Sequence, residues 1–449
     1  MTETTVVTHR SRSAATDKST EFRFTETDIP SVNGSEILNS NRKHAWQIFK
    51  TMSFPNIKDE AWRRTDISQL DPAQFSLVKA GGYLDVPSAP EDLLKPLTDE
   101  NQGGQIVLYG ADAAVTVSPE ITRLGVVFTT LAEAQKTHPE ILQKCLGKSV
   151  KADEGKFPAL VHALAQDGIF LYVPKGVKVE QPLHSIFWGA AEKTAYLMHV
   201  IVVLEENAEV TYIHESASPE EADQPALHAG IVEIHVGESA NLHFVELQSF
   251  GKNVWNFSNE RARVERNGAI DWIFGAIGSR MTKNFTDLDL VGDGAVGKMS
   301  GFYFTNGKQH LDHDTQQNHL APHTTSDLLF KGAVMDNSHS VWQGMIYVAP
   351  GAAKTDGYQA NRNLLLSKNA HADSIPGLEI LADDVRCTHG ATVGKIDKDE
   401  VFYLLSRGIP QKEAERLIVE GFFDPIMQRI PFDGVRSRFQ QYIHNKMAV

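Results

Sequence analysis

The spacing of hydrophobic and polar positions changes twice along this chain. Between residues 35 and 150 apolar positions recur mainly at helical spacing. Ala45, Ile48, Phe49 and Met52 fall at i, i+3, i+4 and i+7, one face of a helix that Pro55 ends. The segment Glu60-Ala61-Trp62-Arg63-Arg64-Thr65-Asp66 then reads as a capped helix end with Trp62 packed inside. Leu131 to Leu146 is a second helical stretch, interrupted by Pro139. Cys145 lies in it beside Leu146, and a lone thiol among apolar residues reads as core.

Near residue 155 the period drops to two. Ile169 to Val173 is a short strand-like run ended by Pro174, and Val232, Ile234 and Val236 alternate with Glu233 and His235. From there to about 385 the chain is strand after short strand, rich in Val, Ile, Phe, Thr and His. A weak repeat runs through it. Glu206-Asn207-Ala208-Glu209-Val210 is similar to Glu238-Ser239-Ala240-Asn241-Leu242, to Arg266-Asn267-Gly268-Ala269-Ile270 and to Gly292-Asp293-Gly294-Ala295-Val296. No helix-length segment separates these units. Ala208, Ala240, Ala269 and Ala295 are therefore expected to stack inside the narrow turns of a β-solenoid, which is favoured over a sandwich.

After Ile396 the helical period returns. Asp397 and Glu400 form a capping-box pattern, Val401, Leu404 and Leu405 an apolar face, and Gly408 a stop. Pro410 opens a second helix, with Ala414, Leu417 and Ile418 on one face and Gly421 after it. Asp424-Pro425 opens a short third, stopped by Pro431. Val435, Phe439 and Tyr442 mark a fourth, with Arg436, Arg438 and Lys446 on its polar side. The expected division is a disordered tail over 1–25, an N-terminal helical region over 26–155, a β core over 156–390 and a C-terminal helical domain over 391–449.

Composition narrows the class. A chain of 449 residues with 41% hydrophobic content can bury a sizeable core. Its apolar runs, such as Val200 to Leu204, are far shorter than the roughly 20 residues that cross a bilayer. A net charge of −14 argues against general nucleic-acid or anionic-membrane binding. The two cysteines, Cys145 and Cys387, form no CxxC pair, so neither a disulfide framework nor a self-contained zinc site is legible. That fits a reducing compartment, and a cytoplasmic location is expected. The first 20 residues lack the apolar stretch of a secretory signal, and their acids sit poorly with an organellar peptide despite Arg10 and Arg12.

No phosphate-binding GxxxxGK[ST] loop, GxSxG elbow, HExxH or GxGxxG is present. His310, His313, His319 and His323 cluster within 14 residues, but i and i+3 on a strand face opposite sides. They read as a polar row on an exposed sheet face sooner than as metal ligands. Cys387-Thr388-His389 is the better candidate, because i and i+2 on an extended segment share a face. A thiolate beside an imidazole suits Fe²⁺, Zn²⁺ or an iron–sulfur cluster, with Arg386 expected to favour the thiolate. Two ligands close no tetrahedral site, so the rest come from elsewhere in the chain or from a partner. A buried structural cysteine is the alternative.

The runs His310-Leu311-Asp312-His313-Asp314-Thr315, Ala321-Pro322-His323-Thr324-Thr325-Ser326-Asp327 and Asp356-Gly357-Tyr358-Gln359-Ala360-Asn361-Arg362-Asn363 resemble the SufB/SufD family of iron–sulfur cluster assembly proteins. So do Pro376-Gly377-Leu378-Glu379-Ile380, Asp383 to Gly394 and Phe402-Tyr403-Leu404-Leu405-Ser406-Arg407-Gly408. The SufD branch is the more similar: Gly390 stands where SufB typically has Glu, no N-terminal cysteine cluster is present, and Trp62-Arg63-Arg64-Thr65-Asp66 is similar to a motif near the start of SufD proteins.

The resemblance implies a right-handed parallel β-helix with helical segments at both ends and a non-catalytic scaffold role. It implies pairing with a SufB-type paralogue through the β-helix and docking of a SufC-type ABC ATPase on the C-terminal helices, near Leu404, Leu405, Arg407, Gly408 and Ile409. It implies a transient iron–sulfur cluster shared with the partner, with Cys387 and His389 at the positions facing it. A flavin, the cluster type and the subunit count stay open. Two other readings stand beside this one: a SufB-like main cluster carrier, and a β-helix enzyme acting on polysaccharide through paired carboxylates.

Overall fold

The computed structural model describes residues 21–31, 36–78, 81, 87–95, 102–430 and 433–448. Most of the expected tail lies outside them. Within 21–25, Phe22 is buried and stacks on Phe24 at 5.0 Å.

From Asp167 to Lys395 successive strands alternate between two sheets, and every neighbour within each sheet pairs in parallel. One sheet runs from Asp167–Val173 to His371–Ile380, the other from Leu183–Trp188 to Arg386–Lys395. Each coil contributes one strand to each sheet, giving a β-solenoid of about eight turns. Its lumen is filled by large side chains, among them Phe244, Trp272, Phe330 and Trp342.

The turn between the sheets explains the repeat. Gly176, Asn207, Ser239, Asn267, Gly294, His323, Lys354 and Asp384 occupy equivalent places with φ between 54° and 73°, a region that favours Gly, Asn and Asp. The residue after each is small and buried through the middle coils: Ala208, Ala240, Gly268, Ala295, Thr324, Thr355. Their carbonyls accept from the next coil, as in Asn241 N–H to Ala208 O (2.8 Å) and Val296 N–H to Gly268 O (2.9 Å). The expected stack therefore exists with one correction. Ala269 is the first residue of its strand, and Gly268 takes the place inside the turn.

The N-terminal region covers the outer face of the first sheet. Helices Glu36–Thr51 and Lys156–Leu164 lay Trp46, Phe49, Phe157 and Leu160 against Leu197, Leu227, Ala229 and Phe257. The Glu233 carboxylate anchors the preceding loop. It accepts from the backbone N–H of Gly147, Ser149 and Val150 and from His199 Nε2. Helices Leu131–Thr137 and Pro139–Cys145 break at Pro139 as expected, and Cys145 is buried core. This region also adds strands that the helical spacing does not announce. Gly104–Leu108 pairs with Leu183–Trp188, with Ala113–Val117 antiparallel outside it, and Val127–Thr130 pairs antiparallel with Asp167–Val173. They close the first end of the solenoid.

The C-terminal helices cover the outer face of the second sheet, with Phe423, Ile426, Val435 and Phe439 packed on Val245, Ile273, Phe302 and Phe304. Three expectations change here. The helix opened by Pro410 runs Gln411–Met427, through Gly421 and Pro425, so no separate third helix forms; Pro431 lies outside the described residues. Leu417 is exposed, and Ala414, Val419 and Phe423 form the buried face. On Asp433–Ala448, Arg438 and Lys446 are not on a solvent face: Arg438 pairs with buried Glu215, and Lys446 Nζ donates to Phe304 O and Gln309 Oε1. Each long cation finds acceptors against the sheet that solvent would otherwise supply.

Candidate functional site

The last coil differs from the others. Strands His371–Ile380 and Arg386–Lys395 each pair on one side only among the described residues. Among the described residues no further strand follows them over the lumen. Leu378, Ile380, Leu381 and Val393 are exposed there, although Leu378, Ile380 and Val393 share the register of buried lumen residues in earlier coils.

Cys387 and His389 occupy this mouth on one face of Arg386–Lys395, as the period of two requires. Cys387 pairs with Gly357, and His389 with Gln359, whose side chain donates into the lumen to Gly344 O and Gly377 O. Both side chains therefore point along the lumen. Cys387 is partly buried against Ile346 and Val348. His389 is exposed, and its ring has no hydrogen-bond partner among the described residues.

Burial pushes the Cys387 thiol above its ordinary range. The Gly357 backbone acts the other way and the nearby Asp356 carboxylate adds to the rise. This corrects the expectation for Arg386. Neighbouring strand residues point to opposite faces, and Arg386 reaches towards Asp356 at 4.0 Å instead of the thiol. The resting thiol is protonated and must lose its proton on binding a metal.

His319 joins the site from the lumen side. A Cβ placed on Gly357 would stand 3.3 Å from both Cys387 Sγ and His319 Nε2, so the glycine keeps open the gap between thiol and imidazole. The His319 ring contacts Thr324 Oγ1 at 2.8 Å and Ser326 Oγ at 2.9 Å. Burial lowers its pKa to about 4, which keeps it neutral. The expected exposed histidine row is thus overturned. His313 and His319 are fully buried in the lumen, His310 is half-buried under the N-terminal segment, and only His323 lies at the surface. A solenoid strand has a lumen face and a covered outer face, so polar residues on either one can be inside. The Asp-Gly-Tyr-Gln run around Gly357 was the signal available in the sequence.

The motif Trp62-Arg63-Arg64-Thr65-Asp66 caps a 3-10 turn and lies on the outer face of the first sheet. Trp62 packs among Phe157, Phe257 and Phe285, with centroids 5.8 to 6.0 Å away. Thr65 donates to Asp312, which also pairs with the fully buried Lys283 at 2.9 Å.

The expected ATPase dock is the end of helix Lys398–Ser406. Gly408 adopts φ 83°, and the N–H groups of Gly408 and Ile409 return to Leu405 O and Leu404 O. This helix buries no residue, so Val401, Leu404 and Leu405 are not a core face. Phe402, Tyr403 and Leu405 are exposed while Leu404 and Ile409 are half-buried. Phe402 and Tyr403 thus join the candidate surface.

Buried carboxylates do exist in the lumen. Burial raises Glu260 to about 7, and Glu246 rises with it beside the same charge. Both are sealed inside, which removes them as a polysaccharide-cleaving pair, since that pair must flank a bound chain.

Residues 187–422 match the family described as SUF system FeS cluster assembly, SufBD core domain, and residues 21–184 match the SufBD protein N-terminal region. The iron–sulfur cluster assembly protein SufD of Bacillus subtilis is 32% identical over 337 residues, 75% of this chain and 77% of that protein. The SufB protein of the same organism is 31% identical over 312 residues, 69% of this chain and 66% of its own length. A SufBD family protein of Staphylococcus saprophyticus is 30% identical over 70% of this chain and 67% of its own. With its parallel β-solenoid and both family regions in order, the chain belongs to the SufB/SufD family of the SUF iron–sulfur cluster assembly system.

Proposed function

We propose that this chain is a SufD-like scaffold subunit, pairing with a SufB-type paralogue through its last coil and building an iron–sulfur cluster with it. The observation that carries the reading is the uncapped lumen mouth with Cys387 and His389 turned into it. Two soft-to-borderline ligands on one face leave a metal half-coordinated, and free strand edges with an apolar rim offer a partner both backbone pairing and burial. The cluster is cargo: the thiol gives up its proton on ligation, and the imidazole binds as the neutral ring. His319, across Gly357 from the thiol, lines the lumen side of the site with both ring nitrogens held by Thr324 and Ser326. The family's assembly role favours a non-catalytic part for this subunit in the cytoplasm. ATP hydrolysis then falls to a SufC-type ATPase held on Phe402, Tyr403, Leu404, Leu405, Arg407, Gly408 and Ile409.

The test is cluster content per assembled complex, read from visible absorption after anaerobic reconstitution. His389→Ala is expected to lower it strongly, and Cys387→Ser equally or less, with complex yield and thermal unfolding nearly unchanged. Unchanged content in the double variant would reject the ligand role. The near-equal identity to SufB and SufD favours keeping one second reading, a SufB-like main carrier. That chain would hold a full cluster when reconstituted alone, whereas a SufD-like chain holds little without its partner.

A further inference from the structure

On the outer face of the first sheet, away from the lumen mouth, three side chains converge. Parallel register sets His371 directly beside His339, and Asp373 follows two residues later on the same face. The Asp373 carboxylate lies 3.1 Å from His339 Nε2 and 3.2 Å from His371 Nε2, one oxygen to each ring. No pair of the three ligand atoms is more than 4.8 Å apart. We propose that His339, His371 and Asp373 form a binding site for a divalent first-row metal ion such as Fe²⁺ or Zn²⁺.

The donor set argues for this class. Two imidazoles and one carboxylate with open positions suit ferrous iron and zinc, and the absence of a thiol disfavours softer ions. At metal–ligand lengths of about 2.1 Å, tetrahedral ligand atoms stand roughly 3.4 Å apart. A different Asp373 oxygen meets each nitrogen, at 3.1 and 3.2 Å, so one shared ion calls for both rings to close on the carboxylate from ligand atoms that now lie within 4.8 Å of one another. His371 can supply the movement: it sits on the edge strand with its side chain 65% exposed. His339 is the fixed member, with its ring between His310, met edge-on, and His371, met at a tilt, 4.8 Å from each. An ion bound at the two Nε2 atoms uses their lone pairs, so each neutral ring then carries its proton on Nδ1. The remaining coordination positions face solvent. This site is distinct from Cys387 and His389, which lie on the opposite sheet and face the lumen, so it stands whether or not those residues bind a cluster.

The experiment uses the tag-free full chain, stripped with chelator and dialysed against Zn²⁺ or, anaerobically, Fe²⁺, with bound metal counted per chain. One ion of either metal is expected in the wild type and equally in the Cys387→Ser, His389→Ala double variant. His371→Ala and Asp373→Asn each remove a ligand at an accessible position and should weaken binding at least about tenfold, the smaller end of even outer-shell losses. Their metal-free thermal unfolding should match wild type. Added Zn²⁺ should raise the unfolding temperature of the wild type and of the Cys387→Ser, His389→Ala variant more than that of either single variant. Wild-type affinity retained in both single variants would overturn the proposal. So would binding lost only in the Cys387/His389 variant, or no binding of either metal, since a plain surface carboxylate–imidazole pair predicts that result.

Discussion

His313 is enclosed by Phe274, Tyr303 and Phe330, with ring centroids 5.0, 5.6 and 6.2 Å away, and neither ring nitrogen has a partner among the described residues. Burial, aided by the Lys283 charge, lowers its pKa from 6.5 to about 3. The folded chain keeps this ring neutral where the unfolded chain would protonate it. Its share of stability is complete above pH 6.5 and declines as pH falls below that value. By linkage the loss at pH 5.5 is on the order of 1 kcal/mol. His313→Phe removes the proton site and suits the aromatic cage. Its unfolding free energy relative to wild type should therefore rise by about that amount between pH 8 and pH 5.5 in urea titrations. An unchanged difference would place the ring in contact with water. Gly357 makes a second prediction at this scale. Gly357→Ala puts a methyl group 3.3 Å from the Cys387 thiol, His319 and Ile346. Cluster content per complex should fall, while the chain keeps its far-ultraviolet circular dichroism. Unaltered content would remove His319 from the site. The sequence made Cys387 and His389 legible because period two alone decides their common face. It hid His319, because its neighbour across the lumen is 38 residues away in another coil.

Among the elements, the solenoid strands were legible from alternation and their turns from Asn, Gly and Ser residues, whereas Gly104–Leu108, Ala113–Val117 and Val127–Thr130 were not. The helix opened by Pro410 was legible at its start, but its continuation through Gly421 to Met427 was not. Gly421 and Pro425 are local breakers, yet Phe423, Ile426 and Met427 on its far side are pinned against the second sheet. Tertiary burial outweighs local propensity there. The same packing changes what a truncation would do. Deleting residues 397–449 would strip the cover from Ile273, Phe302 and Phe304, so loss of ATPase binding would be confounded with unfolding. Surface substitution is the cleaner test. Phe402→Ala, Tyr403→Ala and Leu405→Ala together remove exposed apolar area from a helix that buries nothing. The triple variant should weaken capture of a SufC-type ATPase at least about tenfold, the scale of losing interface anchors. Its unfolding temperature should stay near that of wild type. Wild-type affinity would move the dock elsewhere.

Across the whole molecule the two ends of the solenoid are unlike. The first is closed by the strands Gly104–Leu108, Ala113–Val117 and Val127–Thr130, but the last coil ends in two strand edges that pair with nothing among the described residues, around exposed Leu378, Ile380 and Val393. Repeat arrays need a polar cap for solubility, and an uncapped edge is a template for another chain. On the proposed function the paralogous subunit supplies that cap, and the isolated chain carries an unsatisfied surface. A second copy presents the same edges and the same rim, and a two-fold contact would cover both. Purified alone, the chain should therefore show concentration-dependent self-association in sedimentation velocity. Leu378→Lys with Val393→Lys places charges in the mouth, away from the packed coils. This variant should sediment as a monomer, keep wild-type circular dichroism and fail to pair with a SufB-type chain. A wild-type monomer at every concentration would mean that the rim is too small to drive association by itself. A lysine variant that still pairs would show that the paralogue docks somewhere other than the last coil, and would separate the interface from Cys387 and His389.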